Sequence, residues 1–208
     1  MIPNNTKDLI TQIVQQEWSM MNDVQNNGGR ASCQEDPRGF EIMRSSQLKT
    51  WSDEVLKCYL MDLMNAAYRG RNLLSEKYAF MMEYTHPQEF QQIKQLLPEI
   101  PPELNAKIDE IVDINLDWQK EADEKYPNLR AKGRPLSKDQ DSCCVTSFET
   151  YLRGELKTYS QDTIYTLHDY TLKCLEKGYN MAIANLQNMT AEYGYKSVEE
   201  ANEKMGAK

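Results

Sequence analysis

The chain is poor in the residues that carry familiar chemistry. Its two histidines, His86 and His168, form neither the His-x-x-x-His spacing of zinc proteases nor the pair of Glu-x-x-His turns of helical di-iron proteins. No metal site and no cofactor is expected. Glycine-rich phosphate loops, the Gly-x-Gly-x-x-Gly dinucleotide fingerprint and the Gly-x-Ser-x-Gly elbow are all missing, which removes the sequence signatures of nucleotide binding and serine hydrolysis. No stretch approaches the roughly 18 apolar residues of a membrane span. The opening Met1-Ile2-Pro3-Asn4-Asn5-Thr6-Lys7 has no basic segment leading into an apolar run, so neither membrane insertion nor export is expected. Positive charge is short as well. The 24 Lys and Arg against 32 Asp and Glu leave a formal charge of −8 over 208 residues, which argues against a phosphate-neutralising surface and against nucleic acid as a partner. Five cysteines, an odd number with Cys143 and Cys144 adjacent, make a poor disulfide framework and read as reduced thiols of a cytoplasmic protein.

What is present is helical periodicity. Ile10, Ile13, Val14, Trp18 and Met21 recur at helical spacing and predict a helix over about 6–25, ended by Asn26-Asn27-Gly28-Gly29. Phe40, Met43, Leu48 and Trp51 support a short second helix. Ser52 then resembles an N-cap, with Asp53 and Glu54 favourably placed in the first turn. Val55, Leu56, Tyr59, Leu60, Leu63, Met64 and Ala67 form the most regular apolar face in the chain. Gly70 breaks that helix, Leu73 to Tyr84 resumes, and Pro87, Pro98, Pro101 and Pro102 bound a short helix near 88–96. Further helices are expected over 103–125, 146–157, 160–176, 179–193 and 197–205, with a polar loop through Pro135 between the first two. No period-2 pattern competes, so the fold class is all-α.

The two halves resemble each other. Leu48-Lys49-Thr50-Trp51-Ser52 recurs as Leu156-Lys157-Thr158-Tyr159-Ser160, an offset of 108 that also relates Phe40-Glu41 to Phe148-Glu149, Gly70 to Gly178, Asn72 to Asn180 and Met81 to Met189. Upstream, Gly29-Arg30 matches Gly133-Arg134, and Ile13-Val14 matches Ile111-Val112 at an offset of 98. Trp18 with Trp118 requires an offset of 100, a two-residue slip that rotates a helical side chain by roughly 200°. The expectation is one bundle-like domain of two diverged helical repeats, about 6–97 and 103–205, packed about a pseudo-twofold axis with a pocket along it.

Polar residues on apolar faces mark the candidate site, because burying them costs free energy unless partners or a ligand compensate. Lys77 lies on the face of Leu73 and Met81, as its repeat counterpart Asn185 lies between Met181 and Met189. Arg44 and Gln47 share the face of Phe40 and Met43, where the second copy has Leu152 and Glu155. The alternative is that Lys77, Arg44 and Glu155 are structural ion pairs joining the halves. In the loop at Gly28-Gly29, Arg30 offers a fork for an anion and Cys33 a thiol, beside Gln34; a helix C-cap with a tight connection explains the glycines equally. Arg71 and Asn72 add polarity at a helix break that can also be a plain turn. Tyr78, Tyr151 and Tyr159 lie nearest the polar positions, and Arg153 adds a further cation. His168 falls among Ile164, Leu167 and Leu172 and reads as a core histidine.

Several segments together carry a family resemblance: Glu17-Trp18, Asn27-Gly28-Gly29-Arg30-Ala31-Ser32-Cys33-Gln34, Ile42-Met43-Arg44-Ser45-Ser46-Gln47, Gly70-Arg71-Asn72-Leu73, Glu76-Lys77-Tyr78-Ala79, and Thr146-Ser147-Phe148-Glu149-Thr150-Tyr151-Leu152-Arg153-Gly154-Glu155. As a set they resemble the bacterial family catalogued as domain of unknown function 4125 over nearly the whole chain. The resemblance implies a bacterial cytoplasmic origin and brings no activity with it. The functional expectation is therefore built on the residues. A small anionic metabolite binds between the repeats through Arg30, Gln34, Arg44, Gln47, Arg71, Asn72, Arg153 and Tyr159. Lys77, Glu155, Cys33 and Tyr78 stand ready for acid-base or nucleophilic work. The rival expectation is a noncatalytic helical module whose acidic surface docks a protein partner.

Overall fold

A computed structural model of the chain describes residues 2, 5–25, 29–131 and 133–207. Among these, eleven α-helices and no strand are found: α1 Thr6–Asp23, α2 Pro37–Leu48, α3 Asp53–Tyr68, α4 Leu73–Thr85, α5 Pro87–Ile93, α6 Pro102–Lys125, α7 Pro127–Arg130, α8 Phe148–Leu156, α9 Gln161–Glu176, α10 Met181–Glu192 and α11 Val198–Gly206. The all-α expectation holds, and the longer helices fall within two residues of their expected bounds. Of the expected helix stop Asn26-Asn27-Gly28-Gly29, the first three residues lie outside the described residues. Periodicity missed α7, inside the polar loop expected through Pro135, and the 3-10 turn at Lys138–Gln140 just beyond it. Each is too short to show a period. No helix among the described residues is long and apolar enough to cross a membrane.

Local chemistry sets the helix starts. Ser52 and Ser160 accept hydrogen bonds from the amides of Val55 and Thr163 at the heads of α3 and α9, satisfying donors that the first turn leaves unpaired. Asn72 caps α4 through the amides of Leu74 and Ser75, and Asn180 caps α10 through Ala182 and Ile183. Between them the chain leaves α3 and α9 through Gly70 and Gly178, at φ of 68° and 64°, a left-handed conformation that glycine adopts without steric cost.

The amphipathic faces then choose neighbours. α1 packs on α2, α3 and α4, while α6 packs on α8, α9 and α10. These groups meet through three contacts: α3 against α9, α4 against α8, and α2 against α10. Leu9, Ile13, Leu56, Leu60 and Leu63 from the first group and Ile108, Ile111 and Ile164 from the second are almost wholly buried, each contributing about 1.5–3 kcal/mol in removed apolar surface. Trp51, Tyr59 and Tyr159 meet where the groups join, with ring centroids 5.7 Å (Trp51–Tyr59) and 4.6 Å (Tyr59–Tyr159) apart. Gly154 lets α8 approach α4 closely: a Cβ there would stand 2.9 Å from the Lys77 carbonyl oxygen and 2.8 Å from Met81 Cγ.

Candidate functional site

Between the two helix groups lies a cavity of about 400 Å³, within the range of small-molecule sites. Its floor is ionic. Glu17 on α1 and Arg44 on α2 form a bidentate pair, Nε to Oε2 at 2.8 Å and Nη2 to Oε1 at 2.6 Å. Arg44 Nη2 also reaches Glu155 Oε1 on α8 at 3.1 Å, and its Nη1 donates to Gln47 Oε1 at 2.7 Å. Lys77 on α4 donates to Glu155 Oε2 at 2.5 Å. Two tyrosines complete the set, Tyr59 donating to Glu17 and Tyr159 to Glu155, both at 2.7 Å. Charges alternate from Glu17 through Arg44 and Glu155 to Lys77, and all four side chains are largely sequestered from water.

That pairing sets the ionisation states. Burial would raise the Glu155 carboxyl, but the charges of Arg44 and Lys77, with hydrogen bonds from Lys77 and Tyr159, outweigh it and hold the group well below the usual carboxylate range. Burial would likewise lower Lys77, and the Glu155 charge outweighs it, so the ammonium is held above its ordinary value. Burial, reinforced by the neighbouring carboxylates, pushes the Tyr59 and Tyr159 hydroxyls up. Tyr78 is pushed to about 12, by burial first and then by Tyr151.

Hydrogen-bond accounting then shows what is left for a ligand. Both oxygens of Glu17 and both of Glu155 accept from protein donors, and Arg44 spends three of its nitrogens on Glu17, Glu155 and Gln47. The groups with capacity to spare are mostly donors. Lys77 Nζ lies 3.5 Å from the centre of the Tyr151 ring, and the Arg134 guanidinium lies 4.6 Å from the same ring. Arg134 donates to the Thr146 carbonyl oxygen at 3.2 Å, and no described carboxylate pairs with it. The Tyr78 hydroxyl meets only the Met21 thioether, at 3.8 Å, a weak acceptor. Asn185 also lines the cavity, and its Oδ1 is buried with no hydrogen-bond partner.

The structure thus brings together Lys77, Glu155, Tyr78, Cys33, Arg44 and Gln47 on the cavity wall, with Tyr159 bonded to Glu155 behind it. Five other expected residues do not line the cavity. Arg30 pairs with Glu35 at 2.6 Å on the surface. Gln34 is buried but spent on the Met21 and Val24 carbonyls, which it ties to the loop. Arg71 pairs with Glu76 at 2.6 Å, Asn72 is the α4 cap that also holds the Met20 carbonyl, and Arg153 turns to Asp109 and Glu149. Each has a nearer partner than any ligand. Cys33 has no histidine beside it on the wall, since neither His86 nor His168 lines the cavity; His168 is buried and bonded to Glu110 at 2.5 Å. Among the described residues no group of three or more His, Cys, Asp or Glu side chains is gathered as a metal site.

Sequence reasoning did not single out Glu17 or Arg134 as site residues. Glu17 was legible, standing three and four residues from Val14 and Ile13 on the buried stripe of α1. Arg134 lies in the segment between α7 and α8 and had no periodicity to mark it.

In comparisons with known proteins, the family described as Protein of unknown function (DUF4125) matches residues 7–203. No curated protein and no solved structure matches.

Proposed function

The chain belongs to the DUF4125 family, and from that premise we propose that it binds a small anionic metabolite in the cavity between its two halves. The observation that carries this reading is the donor surplus. Every carboxylate oxygen on the floor is occupied, while Lys77 and Tyr151 retain N–H or O–H groups on the cavity lining, Tyr78 gives its O–H only to a thioether, and the exposed Arg134 offers further N–H groups from the solvent side. An oxyanion satisfies such a wall, and burial strengthens the bond from Lys77. Lys77 and Glu155 are held in their charged states, so neither exchanges a proton readily near neutral pH, and the geometry supports binding better than acid-base catalysis by this pair. The docking-module reading has Met61, Met64 and Tyr68 exposed on α3 in its favour.

We further propose that the halves are diverged copies related by a pseudo-twofold axis. Support comes from the pattern of packing. Exchanging α1, α2, α3 and α4 for α6, α8, α9 and α10 turns each observed packing pair into another: α1·α3 into α6·α9, α1·α4 into α6·α10, α2·α10 into α8·α4, and α3·α9 into itself. Cys58 and Thr166, separated by the repeat offset, touch at 3.7 Å. Asn72 donates to the Met20 carbonyl and Asn180 to that of Trp118, an offset of 98 that makes Met20, rather than Trp18, the counterpart of Trp118. On this register the floor residues Glu17, Arg44 and Lys77 replace Asn115, Leu152 and Asn185, and Glu155 replaces Gln47. On this reading divergence has left three of the four floor charges, Glu17, Arg44 and Lys77, in the first copy and the fourth, Glu155, in the second.

Thermal denaturation with a panel of carboxylates, phosphates and sulfonates tests the binding reading. A ligand present at 100 times its Kd stabilises by about 2.7 kcal/mol. The expected result is a rise in Tm with at least one monoanion that is lost or halved in Arg134→Ala and in Tyr151→Phe. No rise with any anion overturns the reading.

A further inference from the structure

The cavity lining holds unequal numbers of positive and negative side chains, and the inequality narrows the ligand class; the inference rests on the anion-binding reading above. Two carboxylates, Glu17 and Glu155, and four cations, Arg44, Lys77, Arg130 and Arg134, line the space. Arg44 and Lys77 are paired with Glu17 and Glu155 on the floor. Arg130 is neutralised from outside the cavity by Asp123, Nε to Oδ1 at 2.5 Å. Arg134 is left over, for among the described residues it meets a neutral partner, the Thr146 carbonyl oxygen, and no carboxylate. In a chain of formal charge −8, this lining is short of one negative charge.

The missing charge has a place. Lys77 Nζ lies 3.5 Å and the Arg134 guanidinium 4.6 Å from the centre of the Tyr151 ring, so a buried cation and an exposed one converge on one side chain at the rim. A carboxylate there completes the balance and takes the fork of Arg134. Away from that rim, Phe40, Leu152, Met181, Leu186 and Met189 supply apolar surface, which gains by covering a hydrocarbon body. A second negative charge on that body would enter a lining that also holds Glu17 and Glu155 and whose other cations are already neutralised; burying a charge without a partner is costly. A phosphate monoester, with about 1.5–2 charges near neutral pH, exceeds the single vacancy in its head group alone.

We propose that the ligand is a monocarboxylate with an uncharged hydrocarbon body, and that the site discriminates against dicarboxylates of the same length. The carboxylate meets Arg134, Lys77 and Tyr151 at the rim, and the body lies inward along the apolar surface. No covalent step is involved.

Calorimetric titration of the full chain with octanoate, octanedioate and inorganic phosphate tests this. The wild-type protein is expected to bind octanoate about tenfold or more tightly than octanedioate, and phosphate more weakly than octanoate. Arg134→Gln is expected to weaken octanoate binding about tenfold, and Arg134→Lys, which keeps the charge without the fork, to recover part of that loss. Octanedioate bound as tightly as octanoate overturns this inference and leaves the anion-binding reading standing, as does phosphate bound more tightly than octanoate. Full octanoate affinity in Arg134→Gln overturns it as well. Failure of all three probes overturns it too, and the wider anion panel then decides whether the reading beneath falls with it. Should Arg134→Gln fail to fold, the preference of the wild type for octanoate over octanedioate still decides.

Discussion

Glu155 is the most constrained side chain of the site, because it receives Arg44, Lys77 and Tyr159 at once. Its replacement by glutamine leaves two buried cations facing one remaining carboxylate, Glu17. Breaking a buried pair in this way costs about 3–5 kcal/mol, so Glu155→Gln is expected to lower the urea midpoint sharply at pH 7. The pH dependence has a definite sign. The folded carboxyl sits below its ordinary value of 4.5, so the unfolded chain binds the proton more readily. The stabilisation from Glu155 is therefore complete above about pH 5 and fades as the pH falls toward the depressed folded value. The gap between wild type and Glu155→Gln, followed by urea titration, should narrow steadily below pH 5; a gap that widens on acidification contradicts the assignment. Lys77, Arg44 and Glu155 were legible in the sequence because each interrupts an apolar helical face. Arg30, Arg71 and Arg153 do not line the cavity, because the contest between a ligand and a local carboxylate is not visible in a residue's type. Glu35 and Glu76 each lie five residues from their arginine, which makes them easy partners to overlook on either side of a turn or cap.

At the scale of elements, the site depends on how closely α4 and α8 approach. Gly154 permits this, and the backbone it faces includes the carbonyl of Lys77 itself. Gly154→Ala must move α8 or α4 apart by several tenths of an ångström. Overpacking of this kind costs about 1–3 kcal/mol, and here it also separates Lys77 from Glu155. The expected outcome is a lower Tm together with weaker ligand stabilisation, checked by melting curves with and without the best monoanion; unchanged binding in a fully folded variant would mean that the α4·α8 spacing does not set the site. Most helices were legible from period, and the α3 start from Ser52, whereas the caps at Asn72, Ser160 and Asn180 show only in the structure. The segment between α7 and α8 was not, because short turns such as Lys138–Gln140 are shaped by tertiary hydrogen bonds, among them Glu149 accepting from the Lys138 amide.

At the scale of the whole molecule, two similar helix groups enclose a space that neither could enclose alone. The floor draws Glu17, Arg44 and Lys77 from one group and Glu155 from the other, and the walls pair helices across the junction, α4 with α8 and α2 with α10. The matched segments were readable in the sequence, whereas the unequal charge on the two helix groups acquires meaning only once the groups face each other. The methionines give this arrangement a built-in reporter: Met181 and Met189 line the cavity, while Met61 and Met64 are exposed on α3. The most direct measurement is a methionine-methyl NMR titration of the full chain with the anion that raises its Tm most. The account predicts saturable shifts at Met181 and Met189 with Met61 and Met64 unmoved; saturable shifts confined to Met61 and Met64, or none at the cavity methyls with any anion that binds, would contradict it.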